Sequence, residues 1–328
     1  MGLGAMAPVR VGVMGCASIA RRRILPALVA VPDAEVVAIA SRDPGKARWF
    51  TEHFGGRPVH GYGALLELDD VEAVYVPLPA ALHAPWVEAA LLAGKHVLAE
   101  KPLTTNAAST RELIDLARAR GLVLRENVMF VHHHQHAEVQ RLLREGAIGE
   151  VQSFHAAFAI PELPPDDIRY QPDIGGGALL DVGLYPVRGA LHFLSGELKV
   201  AEAVLTTSAR HPVETGGSAQ LRTDTGVIAE LEFGLVHAYR SRYELVGGDG
   251  RIIVDQAFTP PADHRPVLRL ERRGGVEEIT LPSDDQVTNA VVSFATAVRM
   301  GAELDDASVR QAVLLDDIRG NASLLPPS

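Results

Sequence analysis

The sequence predicts a nucleotide-type α/β domain followed by an α+β domain with an open, mostly antiparallel sheet, and three observations carry that prediction. Residues 8–103 alternate short apolar runs with amphipathic stretches, as a parallel sheet with crossover helices requires. The first apolar run breaks at Gly15, where such a domain turns its chain to meet a phosphate. From Val151 onward, extended runs with period-2 alternation dominate, and Gly247-Gly248-Asp249-Gly250 reads as a hairpin turn. The chain of 328 residues is long enough for two cores. Its texture changes between Leu124 and Met129, which gives domains 1–124 and 125–328.

Val9–Met14 is the first expected strand, and a helix runs from the glycine turn to about Val31. Residues 35–40 form the second strand, with a polar break at Ser41-Arg42-Asp43, and residues 46–54 the second helix. Val59 opens a short third strand, and residues 64–68 a short helix. Ala73–Val76 is the fourth strand, residues 81–93 a helix stopped by Gly94, and His96–Ala99 the fifth strand. Residues 106–120 are helical up to Gly121, and residues 122–124 make a sixth strand. In the second domain a helix is expected at 139–145. Extended runs follow at 151–160, 199–207, 218–223, 226–233, 242–247, 251–255, 267–272 and 277–281, then helices at 287–300 and 308–324.

A formal net charge of -10 argues against a nucleic-acid or anionic-membrane partner, so any ligand phosphate must be met by local cations and helix N-termini. No apolar run approaches the roughly 18 residues of a membrane span. The single cysteine, Cys16, leaves no internal disulfide and suits a reducing cytoplasm. Arg21-Arg22-Arg23 before an apolar stretch has the look of a twin-arginine signal, but the strand and glycine turn ahead of it make it a helix of the nucleotide fold. The expectation is a cytoplasmic protein with a small-molecule substrate.

Gly15, Cys16, Ala17, Ser18 and Ile19 lie where a phosphate turn would sit, although Ala17 and Ala20 stand where glycine is usual and a plain strand-to-helix turn remains open. At the end of the second strand an NAD site usually has Asp or Glu for the ribose hydroxyl. Here Ser41, Arg42 and Lys46 occupy that neighbourhood, with Asp43 just beyond it. A hydroxyl and a guanidinium suit a 2′-phosphate, so NADP(H) is the expected cofactor, against a merely solvated loop. Lys101 lies between Glu100 and Pro102, and the proline forces an extended backbone on it, projecting a cation from a strand end where a dehydrogenase polarises a carbonyl. Asp181 and Tyr185 are spaced i, i+4 and share a face if helical, with Pro186 implying a kink at Tyr185; a packed tyrosine is the alternative. Consecutive histidines in His132–His136, read as strand or loop, point alternate ways and lack a supporting ligand pattern. No metal site is expected; one of them lining a substrate cleft is the better reading. No Gly-x-Ser-x-Gly elbow is present.

Val11-Gly-Val-Met-Gly-Cys-Ala-Ser-Ile-Ala20, Val76-Pro-Leu-Pro-x-x-x-His83, Ala93-Gly-Lys-His-Val-Leu-Ala-Glu-Lys-Pro-Leu103 and Gly175-Gly-Gly-Ala-Leu-Leu-Asp-Val-Gly-Leu-Tyr-Pro186 together resemble the Gfo/Idh/MocA oxidoreductase family. The resemblance spans essentially the whole chain. It implies a Rossmann domain, a C-terminal domain with an open sheet, a nicotinamide cofactor bordered by Leu78, Pro79, His83, Glu100 and Lys101, and homo-oligomers, dimer or tetramer, built through the C-terminal sheet. Within the family the chain is similar to NADPH-dependent C-3 ketoreductases of nucleotide-linked deoxysugar biosynthesis, of the kijanose-pathway type. Glu126-Asn-x-Met-Phe-x-His-His, Asp167-Ile-Arg-Tyr, Leu184-Tyr-Pro-x-Arg and Phe258-Thr-Pro-Pro carry that closer likeness. Many members have Asn near Ala80, Arg near His132 and His at the place of Tyr185. A phenol there is shared with ketoreductases and dihydrodiol dehydrogenases.

The resemblance implies that Tyr185 donates the proton to a ketone oxygen as hydride arrives. A free phenol ionises near pH ~10, so the Lys101 ammonium is expected to stabilise both phenolate and developing alkoxide. Asp181 is expected to hold Lys101 or a sugar hydroxyl, and Arg169 to meet a sugar or phosphate oxygen. The function expected is reduction of the C3 ketone of a dTDP-linked 3,4-diketo-2,6-dideoxyhexose. An NADP-dependent dehydrogenase of a free sugar or dihydrodiol, and a non-catalytic NADP-binding regulator, are the alternatives.

Overall fold

The computed structural model describes residues 7–301 and 306–325, and the chain divides into two compact units. The first holds a six-stranded, wholly parallel sheet of β1 (Val9–Met14), β2 (Ala34–Ser41), β3 (Arg57–His60), β4 (Ala73–Val76), β5 (His96–Ala99) and β6 (Leu124–Glu126). The strand order is β3-β2-β1-β4-β5-β6, so the chain reverses its direction of travel across the sheet between β3 and β4, and strand ends beside β1 face an open crevice. Val13 pairs with Ile39 of β2 on one side and Tyr75 of β4 on the other. All four residues of β4 are buried, the run of apolar side chains that a strand covered on both faces needs.

The crossovers are helical: Ala20–Ile24 in π form running into α1 (Leu25–Ala30), then α2 (Pro44–Phe54), α3 (Tyr62–Leu66), α4 (His83–Leu92) and α5 (Ala107–Arg120). Local sequence explains their ends. The Asp43 carboxylate accepts from the amides of Gly45 (2.8 Å) and Lys46 (3.2 Å) to start α2, and Asn106 accepts from Ser109 (2.9 Å) to start α5. Gly121, at φ +64°, closes α5 in the left-handed conformation.

The second unit is built on a nine-stranded sheet: β7 (Val151–Ala159), β8 (Leu198–Ser208), β9 (His211–Thr223), β10 (Ile228–Gly234), β11 (Arg240–Gly247), β12 (Gly250–Asp255), β13 (Val267–Arg272), β14 (Gly275–Thr280) and β15 (Ser323–Leu325). Its order is β14-β13-β12-β11-β7-β10-β9-β8-β15, antiparallel except for the β7–β10 and β8–β15 pairs. One face alternates inward, with Ser241, Tyr243 and Leu245 of β11 buried. Against the sheet lie α6 (His134–Arg144) and a π segment Leu179–Gly183 continuing as α7 (Leu184–Phe193), and α7 in turn meets the helix Ala307–Asn321. Phe130 meets Phe258 edge-on at 5.1 Å, and Phe154 lies 5.8 Å from Tyr243. Buried Arg188 of α7 donates to Gln311 at 2.7 Å, tying the two helices.

Four sequence expectations change. The first unit comprises the chain up to Met129 together with Val287–Ser308, and the second Phe130–Gln286 with the residues from Val309 on, rather than 1–124 and 125–328. The reason is the helix Gln286–Met300, whose Val287, Val291, Phe294 and Ala295 pack into the core of the first unit with Ile24, Leu28 and Val31. An apolar stripe shows that a helix is covered, not by which core. Strand β6 begins at Leu124, two residues later than expected, and β15 was not foreseen. The histidine run is helical from His134 on, with His133 as its N-cap accepting from the Gln135 amide at 3.2 Å.

Arg299, from the inserted helix, clamps Glu72 at 2.9 and 3.2 Å, and the Arg10 amide adds a third bond. The Arg299 bonds lead in holding this carboxyl down at about 2 from 4.5. A depressed carboxyl stabilises the folded state above its unfolded value and loses that contribution as pH falls through the folded one. Urea midpoints measured at pH 5.5 and at pH 3 should therefore fall less for Glu72→Gln than for the parent; equal losses would show that the clamp contributes nothing.

Candidate active site

In the first unit, the turn after β1 is shaped for close approach. Gly15 has φ +122°, its amide donates to Ala40 O at 2.9 Å, and a Cβ there would lie 3.0 Å from Leu78 Cδ2. A side chain at this position would meet both backbone strain and Leu78. The next residues lead to a helix starting at Ser18, so Cys16, Ala17, Ser18 and Ile19 present the first amides of a helical N-terminus. Cys16 is half-buried and hydrogen-bonded to the Ser41 side chain; burial pushes its thiol up, opposed by Ser41 and by nearby Lys46. The end of β2 is thereby joined to the glycine turn. Ser41 is buried and its hydroxyl accepts from the Asp43 amide at 3.1 Å, while Arg42 and Lys46 are exposed. Asp43 is committed to capping α2, so the acidic group near the strand end is already engaged and the two side-chain cations beside it are presented to solvent. These residues fit a 2′-phosphorylated dinucleotide.

The strand ends of β4 and β5 build a second cluster. Glu100 is buried, and its Oε1 accepts from the Tyr75 hydroxyl and from Asn127 Nδ2, both at 2.8 Å. Burial first, then the Glu100 charge, pushes the Tyr75 hydroxyl up, so it remains a donor. The Lys101–Pro102 peptide is cis. Beyond it the Leu103 amide donates to Glu126 Oε1 at 3.0 Å, and the other oxygen of Glu126 accepts from Ser308 at 2.7 Å. Lys101, half-buried, thus sits on backbone pinned on both sides.

Two residues expected beside the cofactor have partners within the protein. His83 is 1% exposed, and its ring nitrogens lie 2.7 Å from Pro102 O and 2.7 Å from Leu78 O. Glu100 Oε1 is engaged by Tyr75 and Asn127. Leu78 and Pro79, half-buried, remain at the rim beside Gly15.

In the second unit, Asp181 lies in the π segment and Tyr185 in the first turn of α7. The expected kink takes the form of a change from π to α winding just ahead of Tyr185, in the turn that precedes Pro186 and its missing amide. The Tyr185 ring is packed 4.6 Å from Phe158, 5.8 Å from Phe258 and 6.0 Å from Phe130. Arg169 and Asp181, expected to make separate substrate contacts, bind each other at 2.7 Å, with Asp167 adding a bond at 3.1 Å. Asp181 is the first cause holding the guanidinium's pKa up, so it stays charged. Glu214 of β9, which the sequence gave no reason to single out, accepts from the Leu179 amide at 3.2 Å and fills the space beside Gly177, where a Cβ would come within 2.4 Å of it.

The histidines serve packing. His136 is fully buried, its Nε2 3.0 Å from Ala257 O and its Nδ1 2.9 Å from the Tyr243 hydroxyl, and desolvation pushes its pKa well down. His133, His134 and Asp284 form the one metal-competent grouping among the described residues, with ligand atoms within 4.8 Å. Hydrogen bonds account for it: His133 Nδ1 accepts from Gln135, and His134 presents both its amide (2.8 Å) and Nδ1 (2.9 Å) to Asp284. Burial lowers the His133 pKa to about 4.

Residues 9–128 match the family described as oxidoreductase family, NAD-binding Rossmann fold, and residues 136–253 match the GFO/IDH/MocA C-terminal domain. The chain belongs to the Gfo/Idh/MocA oxidoreductase family. It is 54% identical over 318 residues, 96% of each chain, to the dTDP-3,4-didehydro-2,6-dideoxy-alpha-D-glucose 3-reductase of Actinomadura kijaniata. It is 53% identical to the enzyme of the same description from Saccharopolyspora spinosa, over 92% of this chain and 91% of that one. The crystal structure of a 3-ketoreductase from Actinomadura kijaniata in complex with NADP and TDP-benzene superposes with a TM-score of 0.94 at 53% identity, covering 98% of this chain and 100% of that chain. The six-stranded sheet is thus the Rossmann domain of a Gfo/Idh/MocA oxidoreductase, and the nine-stranded sheet belongs to its C-terminal domain.

Proposed function

We propose that this chain is an NADPH-dependent reductase of the C3 ketone of a dTDP-linked 3,4-diketo-2,6-dideoxyhexose. The observation that carries the reading is the full-length likeness, at 53% identity and a TM-score of 0.94, to a 3-ketoreductase that holds NADP and a TDP compound. The Gly15 turn, Cys16 and Ser41 support the dinucleotide, and Arg42 and Lys46 its 2′-phosphate. NADPH, when bound, supplies the hydride. Tyr185 gives its proton to the ketone oxygen as negative charge grows there. Lys101 is the cation assigned to stabilise the negative charge that develops on that oxygen. Asp181, paired with Arg169, orients the wall of the site beside Tyr185.

Among the described residues no helix is long and apolar enough to cross a membrane. The reading places the enzyme in the cytoplasm as a homo-oligomer, dimer or tetramer. Copies would meet through the sheet face bearing His155, Glu230, Arg242 and Glu244, a ladder of both charge signs.

NADPH consumption should be seen with the dTDP-linked diketosugar and not with free sugars or dihydrodiols. Turnover of a free substrate alone would overturn the substrate assignment, and binding without consumption would favour a regulator. Tyr185→Phe should lower turnover by about 10²–10⁴ with NADPH affinity kept. Undiminished turnover at saturation removes Tyr185 from the mechanism. Arg42→Ala should weaken NADPH by about tenfold and leave NADH nearly unchanged. Equal losses for both cofactors, in equilibrium titrations, would refute the 2′-phosphate role.

A further inference from the structure

His83 is the first residue of α4, at 1% exposure, and its ring bridges two segments far apart in sequence. Nδ1 lies 2.7 Å from Pro102 O and Nε2 lies 2.7 Å from Leu78 O. Neither carbonyl belongs to a strand ladder, so the imidazole is the polar side chain set against both of these backbone segments.

The identity of the two carbonyls gives the arrangement its meaning. Leu78 is the side chain that closes on Gly15, and Pro102 directly follows Lys101. We propose that His83 is a positioning residue for hydride transfer: bridging the Leu78 and Pro102 carbonyls with its ring, it locks the backbone beside the glycine turn to the backbone that carries Lys101. This rests on the reading of Lys101 as the group that meets the ketone. His83 touches neither cofactor nor substrate in this role. It sets the distance between the residue that supports the coenzyme and the one that polarises the carbonyl, so its loss should appear in chemistry more than in coenzyme binding.

Substitutions in the full chain test this. His83→Phe keeps a ring and removes both polar ring atoms. With its fold checked by circular dichroism, it should lower kcat by about 10²-fold, as a roughly 1 Å misplacement of a reacting group does, while the NADPH dissociation constant changes less than about threefold. His83→Gln, which restores an amide, should recover part of the loss. Unchanged kcat in a folded His83→Phe, or equal losses in kcat and NADPH affinity, would overturn the positioning role. Full turnover by Lys101→Ala would remove the premise instead, and that outcome, read on a chain with His83 intact, tells the two failures apart.

Discussion

The buried carboxylate of Glu100 is the interaction on which the first half of the candidate site depends. One oxygen gathers the Tyr75 hydroxyl from β4 and the Asn127 amide from just past β6, and so joins three neighbouring strand ends of the parallel sheet. An anion in such a place is tolerated only when its hydrogen bonds are made. Removing either donor would leave a desolvated charge one residue from Lys101. The Leu103 amide on Glu126 repeats the device on the other side. Lys101 is therefore held by backbone whose neighbours are both fixed by acids from the sheet's edge, a preorganisation that a group acting on developing charge requires.

The second unit solves the same problem with packing. Tyr185 has aromatic neighbours on β7, next to Phe258, and at Phe130 before α6. The helical segment that carries it is fixed at its start by Glu214 and further along by Arg188 on Gln311. Asp181 is committed to Arg169. The phenol ring thus stands among aromatic side chains, with a charged pair close by in sequence.

The sequence allowed local features to be read and hid those that depend on distant partners. Period-2 runs and turn glycines marked almost every strand, because a half-buried pleat imposes its period on the side chains. Asn106 and Gly121 marked the ends of α5 because caps are local chemistry. Lys101, Asp181 and Tyr185 stood out through their neighbours Pro102 and Pro186. By contrast, nothing near Glu100 and His83 in the sequence reveals that Tyr75, Asn127, Leu78 and Pro102 are partners of their polar atoms. A tyrosine inside an otherwise apolar strand was the available hint, since a buried hydroxyl needs a partner. The histidine run reads as strand or loop because its N-cap is an imidazole, outside the usual set of capping residues. The bond between Arg169 and Asp181 is likewise a tertiary pairing that no local pattern announces.

The helix Gln286–Met300 has a consequence for how the molecule is made. A domain encoded in one stretch can condense as soon as it leaves the ribosome. Here Val287, Val291 and Phe294 complete an interior begun by Val9, Val11 and Ile24, so the amino-terminal unit stays unfinished until nearly all of the remainder has been translated. The carboxy-terminal sheet has its strands β7 to β14 in hand before that helix arrives. Both units are therefore completed only late in synthesis, the second last of all with β15, and no single uninterrupted stretch of the chain makes up the whole coenzyme domain.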